Sequence, residues 1–154
     1  MKLAVALSRR AELQTRLRQL ESRLSANALV QEGEEPAEDP TELLTELEES
    51  YTALEALIAA INRTNSATVM ESGQVLSDAL AQRDCLSGKL GMLRVFLNHA
   101  SARVSRHGVS EIKIKSTVNV RELQKQVDSC AKQLRELDEA IQQTNWTVEL
   151  METK

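Results

Sequence analysis

Residues 119–144 read NVRELQKQVDSCAKQLRELDEAIQQT. Within them Leu123, Val127, Cys130, Leu134, Leu137, Ile141 and Thr144 recur at alternating steps of four and three. Such spacing places one apolar stripe along a helix and leaves the charges on its other sides. Asn119 stands where an N-cap is needed, and Glu122 follows three residues later, as in a capping box. This is the most regular seam in the chain. It sets the fold class as mainly α, with long helices that each bury a narrow stripe.

The same rhythm recurs on the N-terminal side. Leu3, Ala6, Arg10, Leu13, Leu17, Leu20, Leu24 and Asn27 form a heptad seam in which Arg10 and Asn27 are polar interruptions. Polar seam residues cost stability but fix register and partner number. The stretch from Gln31 to Pro40 then holds both prolines, Gly33 and five acids, and cannot continue a helix. Asp39 as N-cap, Pro40 as first helical residue and Glu42 in the first turn start the second helix. Leu43, Leu47, Tyr51 (or Ser50), Leu54, Ile58 and Ile61 supply its seam, and the polar run Asn62–Ser66 is expected to end it.

A third helix carries Leu76, Leu80 (or Ala79), Arg83, Leu86, Leu90, Leu93 and Leu97 along one side. Gly88 and Gly91 lie inside it at a cost of about 1 kcal/mol each relative to Ala, which suggests close approach of a neighbouring backbone. Ile112 and Ile114 alternate with Lys113 and Lys115, the period of a strand, after an Arg106-His107-Gly108 turn. Trp146 is expected to clamp the last helix onto its neighbours. The expected architecture is a single domain over 1–154. It has four long helices in antiparallel, coiled-coil-like hairpins, at 2–30, 40–62, 74–100 and 119–144, and a short β-hairpin at 102–118 before the last helix.

The 154 residues include only three aromatics, Tyr51, Phe96 and Trp146, which disfavours an all-β fold. The net charge is −4, against a general nucleic-acid binder. Charge is nevertheless blocked. Gln31 to Glu49 holds nine acids and no base, whereas Lys2 to Leu24 holds six bases against Glu12 and Glu21. Arg103 to Lys125 holds six more bases against Glu111 and Glu122. Opposite blocks on neighbouring helices or subunits attract and set orientation. No export signal and no membrane-length apolar run is visible, so a cytoplasmic protein is expected, with membrane association disfavoured. Cys85 and Cys130 have neither metal nor redox spacing and are expected as buried free thiols.

The chain lacks a nucleotide-phosphate loop and a nucleophile elbow. His99 and His107 have no metal-binding partner in sequence. Glu32, Glu34, Glu35, Glu38 and Asp39 are oxygen donors of the kind that suit Mg²⁺ or Ca²⁺, but the EF-hand spacing is missing and a solvated loop is the default. No metal, no cofactor and no catalytic residue is expected. Candidate interaction residues are Glu32, Glu34, Glu35, Asn62, Arg63, Asn65, Glu111, Lys113 and Trp146.

Several runs carry a family resemblance: Asn27–Pro36, Ile61–Asn65, Glu111–Lys113, Ser116–Val118, Leu123–Asp128, Arg135–Asp138 and Gln143–Thr147. Together they resemble a small bacterial family labelled septicolysin-like, of unknown function. The resemblance implies a helical, self-associating protein, and its label implies a cytolysin.

The leading functional expectation is a self-associating structural or binding protein that forms a homo-oligomer or meets a protein partner. One alternative is a membrane-active, cytolysin-like protein. The other is a metal- or ligand-dependent enzyme using the acidic loop, with Trp146 or the histidines nearby, which requires the Asn27–Asp39 region, the Asn62–Asn65 turn and the Glu111–Lys115 strand to converge.

Overall fold

The computed structural model describes residues 1–102 and 112–152. Four helices follow one another: α1 (Leu3–Ala26), α2 (Pro40–Ala67), α3 (Leu76–Ser101) and α4 (Val120–Thr147). The chain divides into two compact units, Met1–Val69 with Gln142–Lys154, and Met70–Ile141.

In the first unit, α1 and α2 form an antiparallel hairpin. Leu17, Leu20, Leu43 and Leu54 are buried along its seam, with Leu13, Leu24, Leu47 and Ile58 packed against them. Charge fixes the register. Arg16 Nε lies 3.0 Å from Glu46, and Arg23 reaches both Glu46 at 3.4 Å and Glu38 at 2.6 Å. The basic and acidic blocks of the sequence thus meet within one chain. Asn27 ends α1 four residues earlier than its propensity suggests. Its side-chain Nδ2 donates to the Arg23 carbonyl at 2.8 Å, and its Oδ1 accepts from the Glu38 amide at 2.9 Å. The chain therefore leaves and re-enters the hairpin on one buried amide, itself 7% exposed.

At the start of α2 the Asp39 side chain accepts from the Thr41 amide at 2.9 Å, with Pro40 at the first helical position. At its other end, α2 runs through Asn62–Ser66 to Ala67. The cause is tertiary. Ile61 and Thr64 are fully buried, and the Thr64 hydroxyl donates to the Ala60 carbonyl while accepting the Met151 amide at 2.9 Å. Burial against residues far along the chain overrides the weak helix propensity of this run.

The first unit is closed by the two ends of the chain. The Leu3 amide donates to Val148 O, and the Leu150 amide to Met1 O at 2.7 Å, around an antiparallel bridge between Lys2 and Glu149. Glu149 takes the Met1 ammonium at 2.9 Å and the Lys2 ammonium at 2.8 Å.

In the second unit, α3 packs antiparallel on the part of α4 up to Ile141. Leu90, Val127 and Cys130 are buried there, flanked by Leu86, Leu93, Leu97, Ala131 and Leu134. Arg83 pairs with Asp138 at 3.5 Å. Asn119 caps α4 by accepting the Glu122 amide at 3.2 Å. The turn into α3 is tight, with the Met70 amide on Gln74 O and Gly73 at φ +86°. That left-handed conformation is the reason for a glycine there.

Four expectations need correction. Among the described residues there is no β-strand. Ile112 and Ile114 are 81% and 73% exposed, in a stretch that is neither helix nor strand. Four alternating residues give too short a face, and a two-stranded ribbon without cover is marginal in water. The first half of the expected hairpin, with His107 and Glu111, lies outside the described residues. Gly88 and Gly91 approach no backbone: a Cβ at either would meet nothing within 4 Å. Cys85 is exposed, because it sits across α3 from Leu90; Cys130 is buried, and both thiols are free.

Trp146 is 63% exposed and clamps nothing in the core. Its neighbour Asn145 takes the buried position instead, at 5% exposure. One residue along a helix turns the side chain by about 100°, which carries Trp146 off the buried face.

Candidate functional site

Within the first unit the candidate residues of the acidic loop and of α2 fall in separate places. Glu32, Glu34 and Glu35 are exposed in the loop between α1 and α2, around Gly33 at φ +85°. Glu38, from the same acidic run, turns back to Arg23. The pair is held by two contacts from Nε and one from Nη2. The hydrogen bond from Arg23 holds the Glu38 carboxyl below its ordinary value, against partial desolvation, and the same bond raises the guanidinium of Arg23. Among the described residues no three His, Cys, Asp or Glu side chains gather as a metal site.

Asn62, Arg63 and Asn65 lie on α2, not in a turn. Asn62 is roughly 33 Å along that helix from Pro40, beyond which the acidic loop begins. It therefore cannot converge with Glu32, Glu34 and Glu35. What Asn62–Asn65 meets is the C-terminal segment: Arg63 Nη2 donates to Met151 O at 3.4 Å, beside the Thr64–Met151 bond. Lys113 is exposed ahead of α4, and Glu111 is outside the described residues. The convergence that an enzyme at the acidic loop requires is absent between the loop and α2.

Glu149 is the most perturbed carboxylate of the first unit. Hydrogen bonds from Lys2 and then from the Met1 ammonium lower its pKa to about 2. It ties residue 149 to Met1 and Lys2. The hollows on both units are shallow grooves along helix pairs. One is floored by Leu17, Leu24, Leu47 and Leu54 and rimmed by Arg18, Glu21 and Tyr51. Another lies between α3 and α4, where Arg83, Arg94 and Arg135 surround Leu90 and Leu134 with Asp84 and Asp138. Arg83 there already pairs with Asp84 at 3.6 Å and with Asp138 at 3.5 Å.

A surface that the seam pattern did not flag is the outer side of α3. Met92 is 78% exposed, Val95 60% and Phe96 46%. At spacings of three and four they adjoin one another on the helix. The available signal was three large apolar residues that fall off the Leu86–Leu90–Leu93–Leu97 seam. The seam reading stopped at the face that packs on α4.

Comparison with known proteins adds kinship but no activity. The chain is similar to a solved structure described as a functionally unknown conserved protein from Corynebacterium diphtheriae, with 44% identity, a TM-score of 0.91, and coverage of 98% of this chain and 99% of that one. No curated protein matches. Nothing in these findings points to a septicolysin-like protein, and that resemblance is corrected. The runs that suggested it are mostly exposed loop and helix-surface positions, where many helical proteins use the same polar residues. The family model that does match, over residues 10–150, is described as Family of unknown function (DUF6847), and the chain belongs to that family.

Proposed function

We propose that this chain is a self-associating helical protein with a structural or binding role in the cytoplasm, rather than an enzyme. The observation that carries the reading is the exposed trio Met92, Val95 and Phe96 on α3. Soluble monomers seldom leave adjoining large apolar side chains in water without a use for them. An exposed free thiol at Cys85 fits a reducing compartment. No helix among the described residues is long and apolar enough to cross a membrane.

Native mass spectrometry and sedimentation of untagged protein, purified without chelators, test the reading. The expected result is a concentration-dependent multiple of 17.1 kDa with no excess mass. A mass of 17.1 kDa at every concentration up to about 1 mM, the range that reveals weak interfaces, would sink it. An excess mass removed by chelator or denaturant would replace it with a ligand-dependent function.

A further inference from the structure

We propose that a second copy of this chain docks on the outer face of α3, antiparallel to the first, with Gly88 receiving Met92 of the other copy. The inference rests on the self-association reading and names its surface. Helix α3 has two stripes. One contains Leu86, Leu90, Leu93 and Leu97 and packs on α4. At about 100° per residue the other runs opposite Leu90, through Ala81, Cys85, Gly88, Met92, Val95 and His99. All six are exposed, and a Cβ at Gly88 would meet nothing within 4 Å.

The order of sizes along this second stripe decides the orientation. Its N-terminal half is small (Ala81, Cys85, Gly88), and its C-terminal half is large (Met92, Val95, His99). In an antiparallel pair centred on residue 90, Gly88 faces Met92, Cys85 faces Val95 and Ala81 faces His99. Each large side chain then enters a space left by a small one, on both sides of the two-fold axis, as an isologous contact requires. A parallel pair sets Gly88 on Gly88 and Met92 on Met92, leaving gaps alternating with collisions.

Charge selects the same arrangement. The exposed acids of α3, Asp78 and Asp84, lie in its N-terminal half. Antiparallel docking sets the acids of the two copies at opposite ends of the stripe, with the two Asp84 side chains twelve residues, about 18 Å, apart. Parallel docking sets Asp84 beside Asp84. Lys89 flanks the centre next to its counterpart. It lines a groove shared with Glu122 of α4, and its flexible stem lets the ammonium stay in water. The stripe from Ala81 to His99 is about 27 Å long. One helix pair of that length lies at the small end of specific interfaces, so a weak, micromolar-range dimer is expected.

The test is a Val95→Cys variant of the full chain, oxidised mildly at high concentration and mapped by peptide mass spectrometry. Cys85 and a cysteine at 95 lie about 15 Å apart on one helix, too far to bridge within a chain, so a link between them reports a second copy. The expected product is the 85–95 link, together with a Met92→Glu variant that sediments as a monomer while keeping its helical circular dichroism. Links of 85 to 85 or 95 to 95 in place of it would overturn the antiparallel arrangement. A dimer that survives Met92→Glu and yields no 85–95 link would overturn the α3 surface and leave self-association standing. A wild-type chain that stays monomeric throughout would overturn both.

Discussion

The two helical hairpins share a leucine seam and differ in everything around it. The α1/α2 pair is tied across its outside by Arg16, Arg23, Glu38 and Glu46, shut at its loop by Asn27, and closed at its far end by residues 148–151. The α3/α4 pair has Arg83–Asp138 across it, two solvent-facing glycines, and large apolar side chains turned outward. Exposed ion pairs contribute little stability each, typically below about 1 kcal/mol. Their service in the first hairpin is register, since a slip of either helix separates Arg23 from Glu38. In the second, a face that makes no such ties is free to meet something else.

The sharpest way to break the first unit is to hollow it where the chain ends meet. Ile61→Ala removes a fully buried side chain and should cost about 2–5 kcal/mol in urea unfolding. Asn27→Ala comes next. It leaves the Glu38 amide and the Arg23 carbonyl without their side-chain partner, at about 1–3 kcal/mol, and should speed proteolysis within residues 28–37. Unchanged cleavage there would mean that the Arg23–Glu38 pair alone holds the loop.

The second unit is better probed with one substitution used twice. Gly73→Ala forces a side chain onto φ +86° and should destabilise by about 1 kcal/mol. Gly88→Ala meets open space on a helix and should stabilise the monomer by about 0.5–1 kcal/mol, read as a higher Tm in dilute protein. A loss of stability at Gly88 in dilute protein would show that the outer face of α3 is already covered within one chain.

The smallest effect is electrostatic. Glu149 has its pKa lowered to about 2, against 4.5 unfolded, so its contribution is complete above about pH 4.5 and is lost as pH falls toward 2. Glu149→Gln should flatten that part of the acid-unfolding profile. Because the carboxylate is 62% exposed, the difference should shrink as salt is added.

These contrasts also show which features were legible in the sequence. The seam of α4 was, because Leu123, Val127, Cys130 and Ile141 obey a local period and are all buried. So was the start of α2, since Asp39 and Pro40 act on neighbours two and three residues away. The end of α2 was not. Thr64 is held by an amide 87 residues later, and no local pattern encodes that partner. Ile112–Lys115 failed the other way, as a true local alternation that forms no strand among the described residues. Most of the chosen site residues were polar and locally unusual, and within the first unit the acidic loop and Asn62–Asn65 lie far apart along α2. The outer stripe of α3 was hidden because Cys85, Gly88 and Met92 look like noise beside a stronger leucine repeat.

The bridge between Lys2 and Glu149 has a consequence for the order in which the protein is made. A link spanning nearly the whole chain adds little entropic cost over a shorter one, because closure grows only with the logarithm of loop length. In time the cost is larger. During synthesis α1 and α2 emerge first and can form their hairpin, yet Thr64 and Leu3 stay without their C-terminal partners until residues 148–151 leave the ribosome. By then α3 and α4 are already out. The first unit is therefore completed only after all residues of the second have been made.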